Sequence, residues 1–478
     1  MSHKVIPPTP EAERILTDYR IARECLSQFG RGEIFQDTDT WTISDNAYRR
    51  PLRPHVLHHL DFSKPATRDE LLNYSSLAAN RALLTMYEGD FVFLPDHGLD
   101  GKLDDQRSFY DDGRAVMAAI ARPWLERYLF SFLDREVTIS GHWTPATVLE
   151  YFTAFAEQAA RRSGNPATDA VLASRNREHA ARVFLIQLAN DFLVESSAMA
   201  RNLPGNYGAL QSALFKIVID EYGYGVHGSK HSTLYEQLMR SVGLDPTAHA
   251  HWQFYLTSTL LLNNYYNHIC RDHRKLFRYV GAIFYAETTF IHTCRDYAEM
   301  MRQVFGRDAD VAYFLEHVHI DHHHSRMVLN ELVVPVLERF GAVAVHDLVR
   351  GFEEARVLAE LADRDFVAQV AWADGELQFK SLADPIGARV RAGTLKPPVQ
   401  RFIEPRGELS VTHVHDQDEL CLIVSGVMRF VNGFERGVLL HPGEGTVIQR
   451  QRLHGAIIES EECVYDIHTI GDHTRCLS

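Results

Sequence analysis

Glu316-His317-Val318-His319-Ile320-Asp321-His322-His323-His324 lies inside a long helical pattern running from Val311 to about Arg339. Wound as a helix at roughly 100° per residue, His317, Asp321 and His324 fall at i, i+4 and i+7, in one narrow stripe. Two imidazoles and one carboxylate then point the same way, and His319, His322 and His323 point elsewhere. A lone histidine on a helix reads as a solvated polar position. An H-x3-D-x2-H stripe reads as a metal-ligand face, because imidazole and carboxylate together suit iron, manganese or zinc.

A metal face in a helical bundle needs inward carboxylates from other helices. Burying an unpaired Glu is costly, so a Glu within an apolar segment is informative. Glu195 follows Phe192-Leu193-Val194, Glu221 ends Phe215-Lys216-Ile217-Val218-Ile219-Asp220, and Glu287 ends Gly281-Ala282-Ile283-Phe284-Tyr285-Ala286. Taken singly, each reads as an ordinary polar position. Beyond Glu221 runs Tyr222-Gly223-Tyr224-Gly225-Val226-His227-Gly228-Ser229-Lys230-His231. Its glycines allow the helix to break and bring back a histidine. By spacing alone, His227 and His231 are equal candidates. Four helical segments offering such ligands supply more than one octahedral ion needs, which implies two metals bridged by a carboxylate.

The rest of the chain divides by texture. Residues 1–140 read as an all-α module with amphipathic patterns at Glu11–Phe29, Asp69–Tyr87 and Arg107–Leu133. His55, His58 and His59 read there as surface or packing histidines. Residues 141–385 are nearly all helix: an all-α bundle. One continuous pattern covers Thr168–Arg201, and another ends near Leu361. Asp384–Pro398, rich in Pro and Gly, reads as a connection. From 386 to 478 short β-rich runs with turn punctuation predict a small β-barrel. A formal charge of −14 disfavours nucleic acid as a partner. Six cysteines without C-x-x-C pairing, and no apolar run long enough to span a bilayer, predict a cytoplasmic protein without membrane association.

With these residues in view, the chain resembles the haem-oxygenase-like diiron oxidases. The resemblance is carried by Ile219-Asp220-Glu221-Tyr222-Gly223-Tyr224-Gly225-Val226-His227, by Lys230-His231-Ser232-Thr233-Leu234, and by the His317/Asp321/His324 stripe. More closely, it resembles the N-nitrosourea-forming non-haem iron enzymes of streptozotocin biosynthesis, from Asn46-Ala47-Tyr48-Arg49-Arg50 into the C-terminal barrel. The resemblance implies that Glu195, Glu221, His231, Glu287, His317, Asp321 and His324 are the diiron ligands, with His231 rather than His227 the histidine carried over.

The C-terminal run Gly407-x5-His413-x-His415-x3-Glu419-x6-Gly426 fits the first cupin motif at every spacing. Pro442-Gly443 and His454 form a degenerate second half. Three neutral imidazoles leave open positions on a metal. The resemblance implies an iron held by His413, His415 and His454, with Glu419 beside the ligands rather than among them. Tyr465, on a late strand, reads first as a core tyrosine, with a place in the pocket as the alternative. Arg450 and Arg452 read as solvated charge, with a carboxylate clamp as the alternative.

The resemblance therefore implies three parts: a helical dimerisation module (1–140), a haem-oxygenase-like diiron domain (141–385) and a cupin (386–478). Two Fe(II) in the bundle, with O2 and an external reductant, would hydroxylate Nδ and Nω′ of Nω-methyl-L-arginine. One Fe(II) in the cupin would rearrange the product oxidatively to an N-nitrosourea. The expected partners are an arginine derivative, a separate electron donor and a second copy of the chain. The alternatives are an N-oxygenase of another guanidine or amine with a different cupin outcome, and a non-catalytic metal-binding sensor or scaffold.

Overall fold

The computed structural model describes residues 9–471, apart from 38–39, 42 and 44. Most of the extreme N-terminal stretch and Cys476 lie outside the described residues. The architecture is a helical body followed by a β-barrel, as the sequence texture predicts.

In the N-terminal part the main helices are α1 (Tyr19–Gly30), α2 (Tyr74–Glu88) and α3 (Asp112–Phe130). Side-chain caps set two starts: Asp18 accepts from the Arg20 amide and Asp111 from the Arg114 amide. The Asp18 cap also splits the Glu11–Phe29 pattern into two helices. The N-terminal part shares one continuous apolar core with the bundle, in which Leu83 and Leu84 of α2 sit with Leu260 and Leu261. Arg50 is fully buried at this junction and pairs with Glu88, which also lies 2.8 Å from His249 Nε2. Paired in this way, the two buried charges offset each other.

The bundle contains α4 (Pro145–Ala159), α5 (Arg177–Phe192), α6 (Ala209–Glu221), α7 (His231–Ser241) and α8 (Thr257–Arg271). It continues with α9 (Leu276–Phe305), α10 (Ala312–Met327), α11 (Ala342–Asp374) and α12 (Glu376–Arg391). The long pattern over Thr168–Arg201 is not one helix: it breaks at 174–176 and again at 193–196, where Ser196 takes a left-handed φ of 62°. Local turn chemistry, with Asn176 capping α5 through the His179 amide, overrides the apolar periodicity. The stretch Arg177–Ala200 is apolar enough for a membrane span by length and composition, but half of it is buried inside the bundle. It reads as part of the bundle's core.

Helices α9 and α11 cross backbone to backbone. A Cβ on Gly281 would lie 1.9 Å from the Leu348 carbonyl oxygen, and one on Gly351 would lie 1.8 Å from that of Arg278. Only glycine fits at either position, and the crossing fixes the helix that carries Glu287. Gly281→Ala is expected to destabilise the protein by about 1–3 kcal/mol, read as a lower urea midpoint at unchanged slope. An unchanged midpoint would mean that the crossing relaxes freely.

The region read as the connection is largely helical. Helix α12 continues through Pro385 to Arg391. Burial of Ala383, Ile386 and Gly387 against Leu420, Leu422 and Val447 of the barrel outweighs the local Pro and Gly signals. Only about residues 392–398 link the two parts.

Among the described residues eight strands follow: β1 (Val399–Pro405), β2 (Leu409–His413), β3 (Glu419–Ser425), β4 (Met428–Gly433), β5 (Arg436–Leu440), β6 (Gly445–Ile448), β7 (His454–Ile458) and β8 (Glu462–Thr469). They form two antiparallel four-stranded sheets, ordered β1-β8-β3-β6 and β2-β7-β4-β5. Within the second sheet, His413 at the end of β2 pairs with His454 at the start of β7, just past a bulge. The barrel is tied to the helices by buried polar contacts. Arg81 Nη1 donates to the Thr412 carbonyl (3.1 Å), and Gln369 Nε2 donates to that of Leu453 (2.9 Å). Arg452 is corrected from solvated charge to a buried bridge, its Nη2 2.9 Å from Asp365 Oδ1 on α11. Arg450 is exposed.

Candidate metal centres

Helix α10 turns His317, Asp321 and His324 inward, all buried, and leaves His319, His322 and His323 exposed. Glu221 is the last residue of α6. The chain then loops out through Gly223 (φ 58°), whose Cβ would collide with the Ser229–Lys230 backbone at 2.5 Å, and returns at His231, the first residue of α7. That return decides between the two histidines. His231 is buried with Nδ1 2.7 Å from Glu221 Oε2, whereas His227 is exposed and faces Thr233. Glu195 sits on the turn after α5 rather than on a helix. Glu287 comes from α9.

These side chains form two groups, each with ligand atoms within 4.8 Å of one another. The first is Glu195, Glu221, His231 and His317. The second is Glu221, Glu287 and His324. Glu221 belongs to both: its Oε2 faces His231, and its Oε1 lies 3.5 Å from His324 Nδ1. Glu287 Oε2 is 3.3 Å and Asp321 Oδ1 3.6 Å from the same nitrogen. All seven residues singled out in the sequence are therefore in one place.

Two residues that sequence reading passed over fix the orientation of the ligands. Asp220 Oδ2 is 3.0 Å from His324 Nε2, which turns Nδ1 towards the carboxylates. Tyr313 donates its hydroxyl to Glu195 Oε1 (2.8 Å), and its carbonyl accepts from His317 Nδ1 (3.0 Å), so Nε2 faces Glu195. Orienting partners of this kind hold a metal-ligating histidine in one tautomer. The signals were present: Asp220 adjoins Glu221, and Tyr313 is one helical turn before His317.

The electrostatics favour cations. Burial pushes Glu221 up to about 7 and Asp321 up to about 8. Burial also opposes a charge on His324, but Glu287, Asp321 and Glu221 outweigh it and hold His324 at about 12. Without a metal, then, the cluster holds protons against its own negative charge. Both oxygens of Asp321, and His231 Nδ1, His324 Nδ1 and Glu195 Oε2, are buried without a hydrogen-bond partner among the described residues. Four carboxylates and three imidazoles with orphaned atoms converging on a shared Glu fit a pair of iron-type cations.

In the barrel, the rings of His413, His415 and His454 lie 4.5–4.8 Å apart, centroid to centroid. His413 Nδ1 is held by the Val411 carbonyl (2.8 Å) and His454 Nδ1 by that of Arg452 (2.9 Å), so both present Nε2. Burial, reinforced by neighbouring positive charge, pushes His415 down to about 4 and His454 down to about 3. The triad is therefore neutral and ready to ligate near pH 7. Glu419 Oε2 is 3.3 Å from His415 Nε2, and burial raises its carboxyl to about 7. Tyr465 stacks on Phe402 in the barrel core and donates to Glu404 (2.9 Å), the packing role expected of a core tyrosine.

A cavity of about 330 Å³ opens beside the bundle cluster, lined by Glu195, Glu221, Glu287 and His317. Asp191 lines it too, and burial together with Glu195 and other carboxylates pushes its carboxyl up to about 7. Sequence reading missed Asp191 because its segment, Leu188-Ala189-Asn190-Asp191-Phe192, reads as an ordinary amphipathic turn.

Residues 182–356, which carry all seven candidate ligands of the bundle, match the family model described as iron-containing redox enzyme. The whole chain is similar to the nitrosourea synthase of Streptomyces achromogenes subsp. streptozoticus. The two are 48% identical over 455 residues, covering 95% of this chain and 96% of that one. With a relative that close along nearly the whole length, and with a helical iron-type cluster followed by a three-histidine barrel, this chain belongs to the nitrosourea synthase family of iron-containing oxidoreductases.

Proposed function

We propose that the chain hydroxylates guanidine nitrogens of an arginine derivative at the bundle cluster and then rearranges the product to an N-nitrosourea at the barrel triad. By similarity the substrate is Nω-methyl-L-arginine, hydroxylated at Nδ and Nω′. The observation that carries this reading is the presence of two separate ligand sets of different chemistry in one chain. The carboxylate-rich set, with Glu221 common to its two groups, would hold two irons, and the neutral His413/His415/His454 set would hold one. Bound irons supply O2 activation, and the electrons come from a separate donor.

The protein residues supply recognition and orientation. The cavity beside the bundle cluster contains Asp191, for which a guanidinium is the complementary cation. Held there, the guanidine nitrogens lie beside Glu195 and the metal ligands. Asp220 and Tyr313 keep His324, His317 and Glu195 aimed at the same point. The five cysteines among the described residues are all free, in keeping with a reducing cytoplasm.

The test is mass spectrometry of one reaction: Fe(II)-loaded protein, Nω-methyl-L-arginine, reductant and air. Products gaining one and two oxygens, followed by a nitrosourea, are expected. Iron-loaded protein without turnover would overturn the substrate assignment. Asp191→Asn is expected to raise KM for the guanidine substrate about 10- to 100-fold, the loss of one charge-assisted hydrogen-bonding partner, with iron content unchanged. An unchanged KM would remove Asp191 from substrate binding.

A further inference from the structure

The N-terminal part reaches the barrel site. Asp416, next to the ligand His415, accepts from the Tyr74 amide at the start of α2 (3.0 Å). Gln451, three residues before His454, donates to the Asp69 carbonyl (2.9 Å) and to Asn73 Oδ1 (3.0 Å). Both loops that carry the triad are thus docked on one helix start. The Tyr74 ring stands edge-on to His413, with centroids 6.4 Å apart.

Over that ring, at 5.9 Å, lies the guanidinium of Arg53. Arg53 is held in an unusual conformation. Its φ of 50° and ψ of 65° are left-handed, which costs a non-glycine residue roughly 1–2 kcal/mol. Pro54 follows, and a residue before proline favours extended backbone instead. The guanidinium is weakly ion-paired. Its Nε is buried without a hydrogen bond among the described residues, and the ion pair recorded for it, with Asp37, is long at 3.8 Å. A divalent ion on three neutral imidazoles is positive; Glu419 and Asp416 offset part of that charge, and Arg53 adds to it. An anionic group on the substrate answers that charge.

We propose that Arg53, seated on Tyr74, binds the α-carboxylate of the amino-acid intermediate that reacts at the His413/His415/His454 site. The N-terminal part thereby supplies substrate recognition to the barrel. The inference rests on the two-step reading above. The guanidinium fork matches a carboxylate in two parallel hydrogen bonds, and the strained backbone is the kind that persists where function requires it.

The test uses Arg53→Gly and Arg53→Lys in the iron-loaded full chain, with synthetic dihydroxylated Nω-methyl-L-arginine and an analogue lacking the α-carboxylate. Glycine relieves the left-handed strain, so the unfolding midpoint should stay level or rise. Binding of the intermediate under anaerobic conditions, read by calorimetry, should weaken about 10- to 100-fold at the barrel site, and KM for its conversion should rise in step. Lysine should restore part of the loss. Hydroxylation of Nω-methyl-L-arginine at the bundle should not change, and the analogue should bind wild type and Arg53→Gly equally. Unchanged binding of the intermediate, or an equal loss for the analogue, would overturn the assignment. If wild type binds the intermediate without converting it, the two-step reading fails. The Arg53 assignment then stands or falls on whether that binding needs both Arg53 and the carboxylate.

Discussion

Replacing His413 and His415 together by alanine should leave hydroxylated arginine accumulating with no nitroso product. The geometry separates the two effects. The barrel triad is built from β2, the loop after it and β7, whereas every candidate ligand of the bundle lies between residues 195 and 324. Even the outer partners of metal ligands cost 10- to 100-fold in affinity or activity when removed. Losing two of three ligands should therefore lower nitrosourea formation by more than about 100-fold. The double variant should bind one iron fewer per chain and still consume O2 with Nω-methyl-L-arginine. Stability should largely hold, because burial already keeps both imidazoles neutral and Glu419, the carboxyl beside His415, is itself raised towards its neutral form. If nitrosourea still forms at the wild-type rate, the barrel is not where the rearrangement occurs. If hydroxylation also stops, the two sites are not independent.

What the sequence made legible was whatever depends on local periodicity. The H-x3-D-x2-H stripe needs only a helix, and the structure places its three members inside and the other histidines outside. The cupin spacing needs only two strands and a turn. What depends on tertiary packing was not legible. Pro385 and Gly387 look like a linker until α12 is seen packed on Leu420 and Leu422. Arg452 looks solvated until Asp365 comes across from α11. Glu195 sits in an apolar run that reads as helix, yet the turn at 193–196 presents it. Asp191 and Arg53 carry no motif at all, and their interest comes from the cavity and the ring beside them.

Asp321→Ala should abolish hydroxylation while leaving the conversion of synthetic dihydroxylated intermediate intact. Asp321 is fully buried, and neither of its oxygens has a hydrogen-bond partner among the described residues. A carboxylate buried in that way costs stability unless a cation answers it. Two results follow, and together they distinguish a metal ligand from a structural acid. Metal-free Asp321→Ala should unfold near the wild-type midpoint, because removing a buried acid without hydrogen bonds offsets the loss of its contact with His324. The rise in midpoint on adding Fe(II) should shrink, because binding to the native state is what produces it. A structural role would give the opposite pattern: a metal-free variant clearly less stable than wild type, with the Fe(II) response unchanged. Activity adds the second axis. With Glu195, Glu221, His231, Glu287, His317 and His324 intact, some iron should still bind, so loss of hydroxylation by at least about 100-fold would mark Asp321 as needed for a productive centre rather than for occupancy alone. Full hydroxylation by Asp321→Ala would remove it from the candidate ligand set and leave it only as a neighbour of His324.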